Sequence, residues 1–298
     1  MDRLRTLHCF RKIAERGSFA AAARDLHMSP GAMTKHINAL EDQLGVQLIS
    51  RTTRRLSLTE AGEAYLARIT GILDDLNDAD ETVRDLTDGP RGRVRISAPM
   101  SFGILKLSPV IADLLIACPD LSVDLTLDDS FVDIIDEGYD ITLRIRESLP
   151  NSSLIVRRIC DYSRVLCASP AYLAAAPPLN NPEDLVSHNC LVYSNGDRPG
   201  TWVFAQDGVE KTIDVAGRFS VNSSLAMRDA LLQGCGLTLT PRLVVEDLLA
   251  DGRLVSLLDD FTPRSLSLYA ISAPHRHRLR KIRTVIDFLS KKLRSETK

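Results

Sequence analysis

The sequence predicts two fold classes in one chain: an all-helical front carrying a small two-stranded appendage, and an α/β rear, joined by one long amphipathic helix. Three observations carry this. Apolar residues in the first 44 positions recur at helical spacing between Ser and Gly punctuation. Seven apolar residues from Tyr65 to Leu86 recur alternately every four and every three. After Asp88-Gly89-Pro90 the pattern changes to short alternating runs separated by helical ones. With 298 residues and 44% hydrophobic content, the chain has length and apolar material for more than one core.

The first helix is expected to place Leu4, Leu7, His8, Ile13 and Ala14 roughly on one face, with Phe10 nearby, and to end at Arg16-Gly17. Ser18 then caps a short second helix, Phe19 to Leu26, whose four alanines let a neighbour approach closely. The third helix lies in LHMSPGAMTKHINALEDQLG. Pro and Gly are the worst helix formers, so their position decides the reading. Ser29 is a favoured N-cap and Pro30 falls at the first helical position, where its missing N–H costs nothing. Gly31 in the first turn leaves bare backbone for another surface to approach. Met33, Ile37, Leu40 and Leu44 form the apolar face, and Gly45 ends the helix. The opposite face offers Gly31, Thr34, Lys35 and Asn38. Two helices joined by a short turn, the second presenting small, polar and cationic groups, form a helix-turn-helix whose recognition helix enters the DNA major groove by its N-terminal part. Asn suits adenine; Thr and Lys suit phosphate or base edges. A plain solvated helix face fits the same residues taken alone.

The neighbouring residues favour DNA. Val46-Gln47-Leu48 and Leu56-Ser57-Leu58 alternate as short strands around Ser-Arg-Thr-Thr-Arg-Arg, a wing with Arg51, Arg54 and Arg55 near its tip. Such arginines hold phosphate or reach into the minor groove. Net charge is only -2, but its distribution is uneven. Residues 1–68 carry eleven Arg and Lys against seven acids, whereas residues 69–88 carry seven acids and only Arg84. A basic front beside an acidic segment points to a polyanion partner for the front alone.

Thr59 caps the long helix, with Glu60 favourable at its positive end. Tyr65, Ile69, Ile72, Leu76, Ala79, Val83 and Leu86 make a narrow seam over three heptads. From Thr59 to about Thr87 the helix would run roughly 43 Å. So narrow a seam needs a partner helix, most simply the same helix of a second subunit.

In the rear, Val94 to Ala98 alternates as a strand, followed by a helix (Phe102 to Cys118), strand Leu121 to Leu127, a short helix and strand Asp140 to Ile145. Strands alternating with helices imply a sheet with a substantial parallel component. A second such run covers Arg164 to Leu258; Leu266 to Ala270 is strand-like. The tail from Leu279 sets Ile282, Val285, Ile286, Leu289 and Leu293 on one side.

The front closely resembles the LysR-type transcriptional regulators. AERGSFAAAARDLHMSPGAMTKHINALEDQLGVQLISRTTRRLSLTEAG is similar to that family's DNA-binding signature; Thr34 stands for the usual Ser, Lys35 for Arg and Ile49 for Phe. GRVRISAP, GYDITLRI, ASPAYL, HNCLVY, GRFSVNSS, QGCGLTLTP and DGRLVSLL resemble family blocks in the expected order, so the likeness spans essentially the whole chain. It implies a winged helix-turn-helix over 1–58, a dimerisation helix over 59–88, and an effector-binding domain over 89–298 of the type 2 periplasmic-binding-protein fold. That domain has two lobes crossed twice by the chain: about 92–162 with 266–298, and about 163–265.

In such folds a ligand lies in the crevice at the carboxyl ends of strands. Two helix starts are expected to face it: Pro99-Met100-Ser101-Phe102, with Ser101 as cap, and Val221-Asn222-Ser223-Ser224, before Leu225 to Leu232. Paired helix N-termini favour a carboxylate; Arg144 is placed to pair with it, and Thr238 is a further candidate. Ser101 and Ser223 serve equally as mere caps; the resemblance tips them toward a site. Arg146 reads as surface, Trp202 and Phe204 as packing.

The remaining features exclude more than they suggest. No run of 18 apolar residues and no apolar h-region occur, so neither membrane span nor signal peptide is expected. Six scattered cysteines without C-x-x-C suggest reduced, cytoplasmic thiols, no zinc site and no metal or cofactor. His188 and Cys190 stand two apart without a third group for catalysis, so an enzyme is not expected. Cys160, Cys167, Cys190 and Cys235 read as inert thiols. The expected protein is a homodimer, assembled further to a homotetramer, that reads an inverted-repeat duplex and answers a small carboxylate effector, with RNA polymerase as a possible partner. The competing readings are a thiol redox sensor, a constitutive DNA-binding regulator and, last, a hydrolase.

Overall fold

The computed structural model describes residues 2–51, 56–84, 90–129, 138–149 and 153–296, apart from the side chains of residues 51, 74, 75, 77–84, 275 and 296. The chain divides near residue 88 into two compact units.

The first unit is three short helices, a hairpin and one long helix: α1 (Arg3–Arg16), α2 (Phe19–Asp25), α3 (Pro30–Leu44), β1 (Ile49–Arg51), β2 (Leu56–Leu58) and α4 (Glu60–Arg84). Side-chain caps at the helix starts follow the sequence. Asp2 accepts from Leu4 N–H at 3.0 Å, Ser18 from Ala21 N–H at 3.4 Å and Ser29 from Ala32 N–H at 3.2 Å. Thr59 Oγ accepts from Gly62 N–H at 3.0 Å. Each such cap contributes about 1 kcal/mol. Gly17 and Gly45 end α1 and α3 in the left-handed region, with φ of 59° and 69°, where glycine has no Cβ to clash.

Packing differs from the expected face of α1. Thr6, Leu7, Cys9, Phe10 and Ile13 are buried, while Leu4 is 43% exposed and His8 and Ala14 are only half-buried. Leu4 lies in the first turn, beside Asp2, before the helix has met its neighbours. The core closes on Met33, Ile37, Leu48 and Ile49, with Leu73 and Ile69 supplied by α4. The Phe10 and Tyr65 rings meet at 5.9 Å.

The first strand of the hairpin is Ile49–Arg51 rather than Val46 to Leu48, paired antiparallel with Leu56–Leu58. The reason is Glu41 of α3. Its carboxylate accepts the N–H groups of Leu48 (2.8 Å) and Ile49 (3.0 Å), so residues 46–48 are held to the helix before pairing begins.

The second unit contains two lobes. In the first, β3 (Gly92–Ala98), β4 (Leu121–Leu127), β5 (Ile141–Arg146), β6 (Ile155–Tyr162) and β15 (Leu266–Ser272) form one sheet in the order β4-β3-β5-β15-β6. β3 runs parallel to β4 and β5; β15 runs antiparallel to β5 and β6. A helical run, α5 (Met100–Ala117), packs on this sheet, its Gly103–Leu107 portion wound as π-helix. The run is long and apolar enough to cross a bilayer by length and composition. Here Phe102, Leu107, Val110, Ile111 and Leu114 instead enter the lobe's core. The final helix, α8 (Arg280–Glu296), buries Ile282, Val285, Ile286, Leu289 and Leu293 against that core, each at most 1% exposed. A buried pair, Arg276 and Asp140 at 3.3 Å, ties the segment before α8 to the start of β5.

The second lobe is built from β7 (Arg164–Ala168), β8 (Val192–Tyr193), β9 (Thr201–Gln206), β10 (Val209–Asp214), β11 (Ser220–Val221), α6 (Ser224–Leu232), β12 (Leu237–Pro241), α7 (Arg242–Ala250), β13 (Val255–Leu257) and β14 (Thr262–Pro263). Its pairing is mostly antiparallel, in the orders β12-β7-β13 and β10-β9-β14, with one parallel pair β8-β11. The parallel component expected from strand-helix alternation is thus concentrated in the first lobe. The expected short helix after β4 and the last residues of the long helix lie outside the described residues.

Candidate functional site

Two regions gather the residues singled out above. On the first unit, burial of Met33, Ile37 and Leu40 turns the opposite face of α3 outward. Ser29, Pro30, Gly31, Lys35 and Asn38 are exposed, and Thr34 is half-buried. A Cβ added at Gly31 would meet nothing within 4 Å, so the head itself does not require glycine there. Thr34 Oγ donates to Pro30 O at 3.0 Å, which directs its hydroxyl hydrogen back into the helix. Orientation of α3 is set by two contacts: His36 Nδ1 with Thr6 Oγ at 2.8 Å, and Glu41 with the hairpin. Since Thr6 Oγ donates to Asp2 O at 2.9 Å, it accepts from His36, which places the imidazole hydrogen on Nδ1. Arg51 belongs to β1; Arg54 and Arg55 lie outside the described residues.

In the second unit a cavity of about 140 Å³ opens between the lobes. Its first-lobe wall is made at the carboxyl ends of β3, β4 and β5: Pro99, Ser101 and Phe102 after β3, Asp128 and Asp129 after β4, Arg144 to Glu147 at the end of β5. β3 has β4 on one side and β5 on the other, so the chain reverses its direction of sheet growth here. A crevice outside strand ends at such a reversal is where open α/β sheets take ligands. The second lobe contributes Arg164, Tyr193, Asp197, Arg198, Trp202 and the apolar Met227, Leu239 and Val244.

Of the residues anticipated here, Ser101, Phe102 and Arg144 line the cavity; Met100, Asn222, Ser223 and Thr238 do not. Ser223 is the N-cap of α6, accepting from Ala226 N–H at 3.4 Å, and its neighbour Ser224 faces the cavity instead. Thr238 is buried in β12, its hydroxyl donating to Leu191 O at 2.7 Å. Met100 is 38% exposed at the helix start. Ser101 is not a cap: Pro99 holds the N-cap position, and Met100 N–H is taken by Asp129 Oδ1 at 3.1 Å. Ser101 Oγ is therefore buried without a hydrogen-bond partner. Arg144 is buried, its guanidinium donating to Leu143 O at 2.9 Å and Ser97 Oγ at 3.3 Å.

Sequence reasoning missed Asp128, Asp129, Arg164 and Tyr193, and placed Arg146 at the surface. Arg146 instead lines the cavity, donates to Asn195 O and lies 3.4 Å from Asp197. These contacts belong to a strap between the lobes. Asn195 Nδ2 donates to Asp129 O at 3.0 Å, Glu147 N–H to Asp197 at 3.3 Å, and Arg164 pairs with Glu147 at 3.2 Å. Tyr193 of the second lobe lines the cavity together with Asp129. Burial raises the Asp129 carboxyl above the usual carboxylate range, more than the Met100 N–H lowers it. The readable signal was positional: Asp128-Asp129 directly follow β4, where a crevice at strand ends needs residues.

Elsewhere, His188 Nδ1 meets Tyr172 OH at 3.1 Å and Cys190 Sγ donates to Leu185 O at 3.5 Å, so each is engaged with a different neighbour. Among the described residues no cluster of three His, Cys, Asp or Glu is arranged to hold a metal.

Comparison with known proteins matches both units of the chain. Residues 4–63 match the family model described as bacterial regulatory helix-turn-helix protein, lysR family, and residues 87–294 match the LysR substrate binding domain. The chain is 34% identical over 293 residues to the HTH-type transcriptional regulator PtxR of Pseudomonas aeruginosa, covering 98% of this chain and 94% of that protein. It resembles the full-length structure of the Vibrio cholerae virulence activator AphB, with 30% identity, 96% of this chain and 98% of that chain covered, and a TM-score of 0.61. The structure of CrgA from Neisseria meningitidis, a LysR-type transcriptional regulator, gives 29% identity, 97% and 98% coverage and a TM-score of 0.61. The fold and the two regions define a DNA-binding transcription regulator with a ligand-binding rear domain. The chain belongs to the LysR family of transcriptional regulators, whose members are regulators rather than enzymes.

Proposed function

We propose that this regulator recognises an inverted-repeat duplex as a dimer and changes its grip on that duplex when a small organic effector carrying a carboxylate enters the interlobe cavity. The observation that carries the DNA part is the outward stripe at the start of α3: five exposed residues, Ser29, Pro30, Gly31, Lys35 and Asn38, opposite the buried Met33, Ile37 and Leu40, while Leu44 of the expected apolar face is 36% exposed. Gly31, Thr34, Lys35 and Asn38 face bases; Ser29 and Pro30 set the helix start against the backbone, with Arg51, Arg54 and Arg55 on phosphate or in the minor groove. The functional division is a DNA-binding head over 1–58, a dimerisation helix over 59–88 and an effector domain over 89–298. Its lobes are 92–162 with 266–298, and 163–265. The protein works in the cytoplasm without metal or cofactor. Dimers assemble to a tetramer through the rear domains, and RNA polymerase is the downstream partner.

Ser101 and Arg144 are the effector contacts from the first lobe. A ligand shifts the lobe equilibrium only if it binds the two arrangements with different affinity. The test is a gel shift with the region upstream of the protein's own gene. Lys35→Ala and Asn38→Ala weaken specific binding at least tenfold while the circular dichroism spectrum is kept, consistent with about 1–3 kcal/mol for a good base contact. Unchanged operator affinity in both variants refutes the recognition face.

A further inference from the structure

The charge arrangement of the cavity narrows the ligand class, an inference that rests on the effector reading above. The cavity is lined by as many carboxylates as guanidiniums, four of each. The start of α5, the seat that favours an anion, is already filled by a carboxylate of the chain itself: Asp129 Oδ1 accepts Met100 N–H at 3.1 Å. Asp128 adjoins it on the same wall. A ligand bearing only negative charge enters a balanced site and meets two acids at its most favourable seat, where like charges repel. A ligand bearing only positive charge meets the guanidiniums of Arg144 and Arg164 instead.

Two polar groups on the cavity wall ask for a ligand. Ser101 is 6% exposed and its Oγ has no hydrogen-bond partner. Arg164 Nε is likewise buried and unpartnered, although another nitrogen of the same guanidinium reaches Glu147 at 3.2 Å. A cationic donor lacking an acceptor matches a ligand carboxylate; a pair of carboxylates matches an ammonium. Buried polar groups are ordinarily satisfied, so both orphans mark positions completed from outside. Met227, Leu239 and Val244 add an apolar wall. At about 140 Å³ the cavity is close to the engineered cavity of about 150 Å³ that holds benzene, which limits the ligand to roughly six to nine non-hydrogen atoms.

We infer that the effector is a small zwitterion, an amino acid with a short apolar skeleton, its ammonium on Asp129 and its carboxylate on the guanidinium side of the cavity beside Ser101. This also links occupancy to lobe position. Asp129 is also tied to the opposite lobe through its backbone, where Asn195 Nδ2 donates to Asp129 O at 3.0 Å. An ammonium arriving at the Asp129 carboxylate acts at that junction.

The test uses the full chain and four compounds on one five-carbon skeleton in three charge states, titrated by calorimetry and by thermal shift: the zwitterions L-norvaline and 5-aminopentanoate, the anion pentanoate and the cation pentylamine. At least one amino acid binds, and the two singly charged compounds bind at least tenfold more weakly. Asp129→Asn, which keeps an acceptor for Met100 N–H, weakens the amino acid at least tenfold and leaves pentanoate binding equal or tighter. If pentanoate binds the native chain as well as either amino acid, the zwitterion is wrong while the effector cavity stands. If none of the four binds, the zwitterion is wrong; if a wider set of organic acids also leaves operator affinity unchanged, the effector reading falls with it.

Discussion

Ser29 and Ser101 both sit within two residues of a proline at a helix start, yet they do different work. Ser29 precedes Pro30 and its hydroxyl caps α3; that local pattern is readable from neighbouring residues. Ser101 follows Pro99, which itself takes the cap position, and the acceptor for the helix start comes from Asp129 on another strand end. Nothing local to Pro99-Met100-Ser101 reveals a partner 29 positions away. The same limit hid Arg146, whose carbonyl acceptor is Asn195. Two predictions belong at this scale. Because burial raises the folded-state pKa of Asp129, the folded chain binds more protons than the unfolded chain between the ordinary carboxylate pKa and the raised one. The Asp129 contribution therefore destabilises above that window and is relieved as pH falls through it. Denaturant melts of native and Asp129→Asn protein across pH 4 to 7 will show the variant gaining relative stability as pH rises. The second concerns thiols. Burial pushes Cys167 and Cys190 up to about 12, whereas Cys235 is exposed. Mass spectrometry after native iodoacetamide treatment will find Cys235 labelled and Cys167 and Cys190 unlabelled. Operator affinity that survives this labelling sets aside the thiol redox sensor; loss of affinity on labelling supports it.

The long helix shows how an element serves two surfaces with one periodicity. Ile69 and Leu73, four apart, enter the core of the head, whereas Ile72 is 56% and Leu76 39% exposed. The repeat of fours and threes recorded apolar positions without saying which core each one joins. Ile69 was counted in the intersubunit seam and belongs to the head; Leu73 was not counted and is fully buried. Seam positions Ala79 and Val83 have side chains outside those described, and Leu86 is outside altogether. The 25 residues of α4 span about 37 Å. Exposed Ile72 and Leu76 one turn apart form the start of an unpartnered stripe, the feature a coiled-coil mate covers. Ile72→Asp with Leu76→Asp is expected to convert the dimer to monomer in analytical ultracentrifugation while each head stays folded. A dimer that persists undiminished removes α4 as the subunit contact. The junction of α4 with the hairpin is tighter than the sequence suggested. A Cβ at Gly62 would stand 2.0 Å from Leu48 O, so Gly62→Ala forces the helix off the hairpin. A loss of about 3 kcal/mol is expected by chemical denaturation, at the upper end of the usual overpacking cost.

Over the whole molecule, the family and the order of elements were legible because they rest on caps, glycine stops and long periodic helices. The tail helix is the clearest case: its five seam residues were named from spacing and all five are buried. The second lobe was less legible, since strands of two or three residues such as Val192–Tyr193 and Val255–Leu257 are too short to show alternation. The cavity was legible as a place, at strand ends, and only partly as a set of side chains, because its acids and half its arginines are brought in by contacts distant in sequence. In the resulting account the head supplies recognition, α4 the two-fold pairing, and the interlobe strap through Asp129, Asn195 and Asp197 the element that a ligand disturbs. The proposed coupling between cavity and duplex would be reciprocal: an effector that weakens operator binding is itself bound more weakly by the operator complex. The central claim is symmetrical DNA recognition by a paired protein. Hydroxyl-radical footprinting of the region upstream of its own gene tests it most directly. The account predicts protection on two half-sites related by two-fold symmetry, centred one or more whole helical turns apart, and lost together in Ile72→Asp/Leu76→Asp. Protection of one isolated half-site by the native protein, or of none, contradicts it.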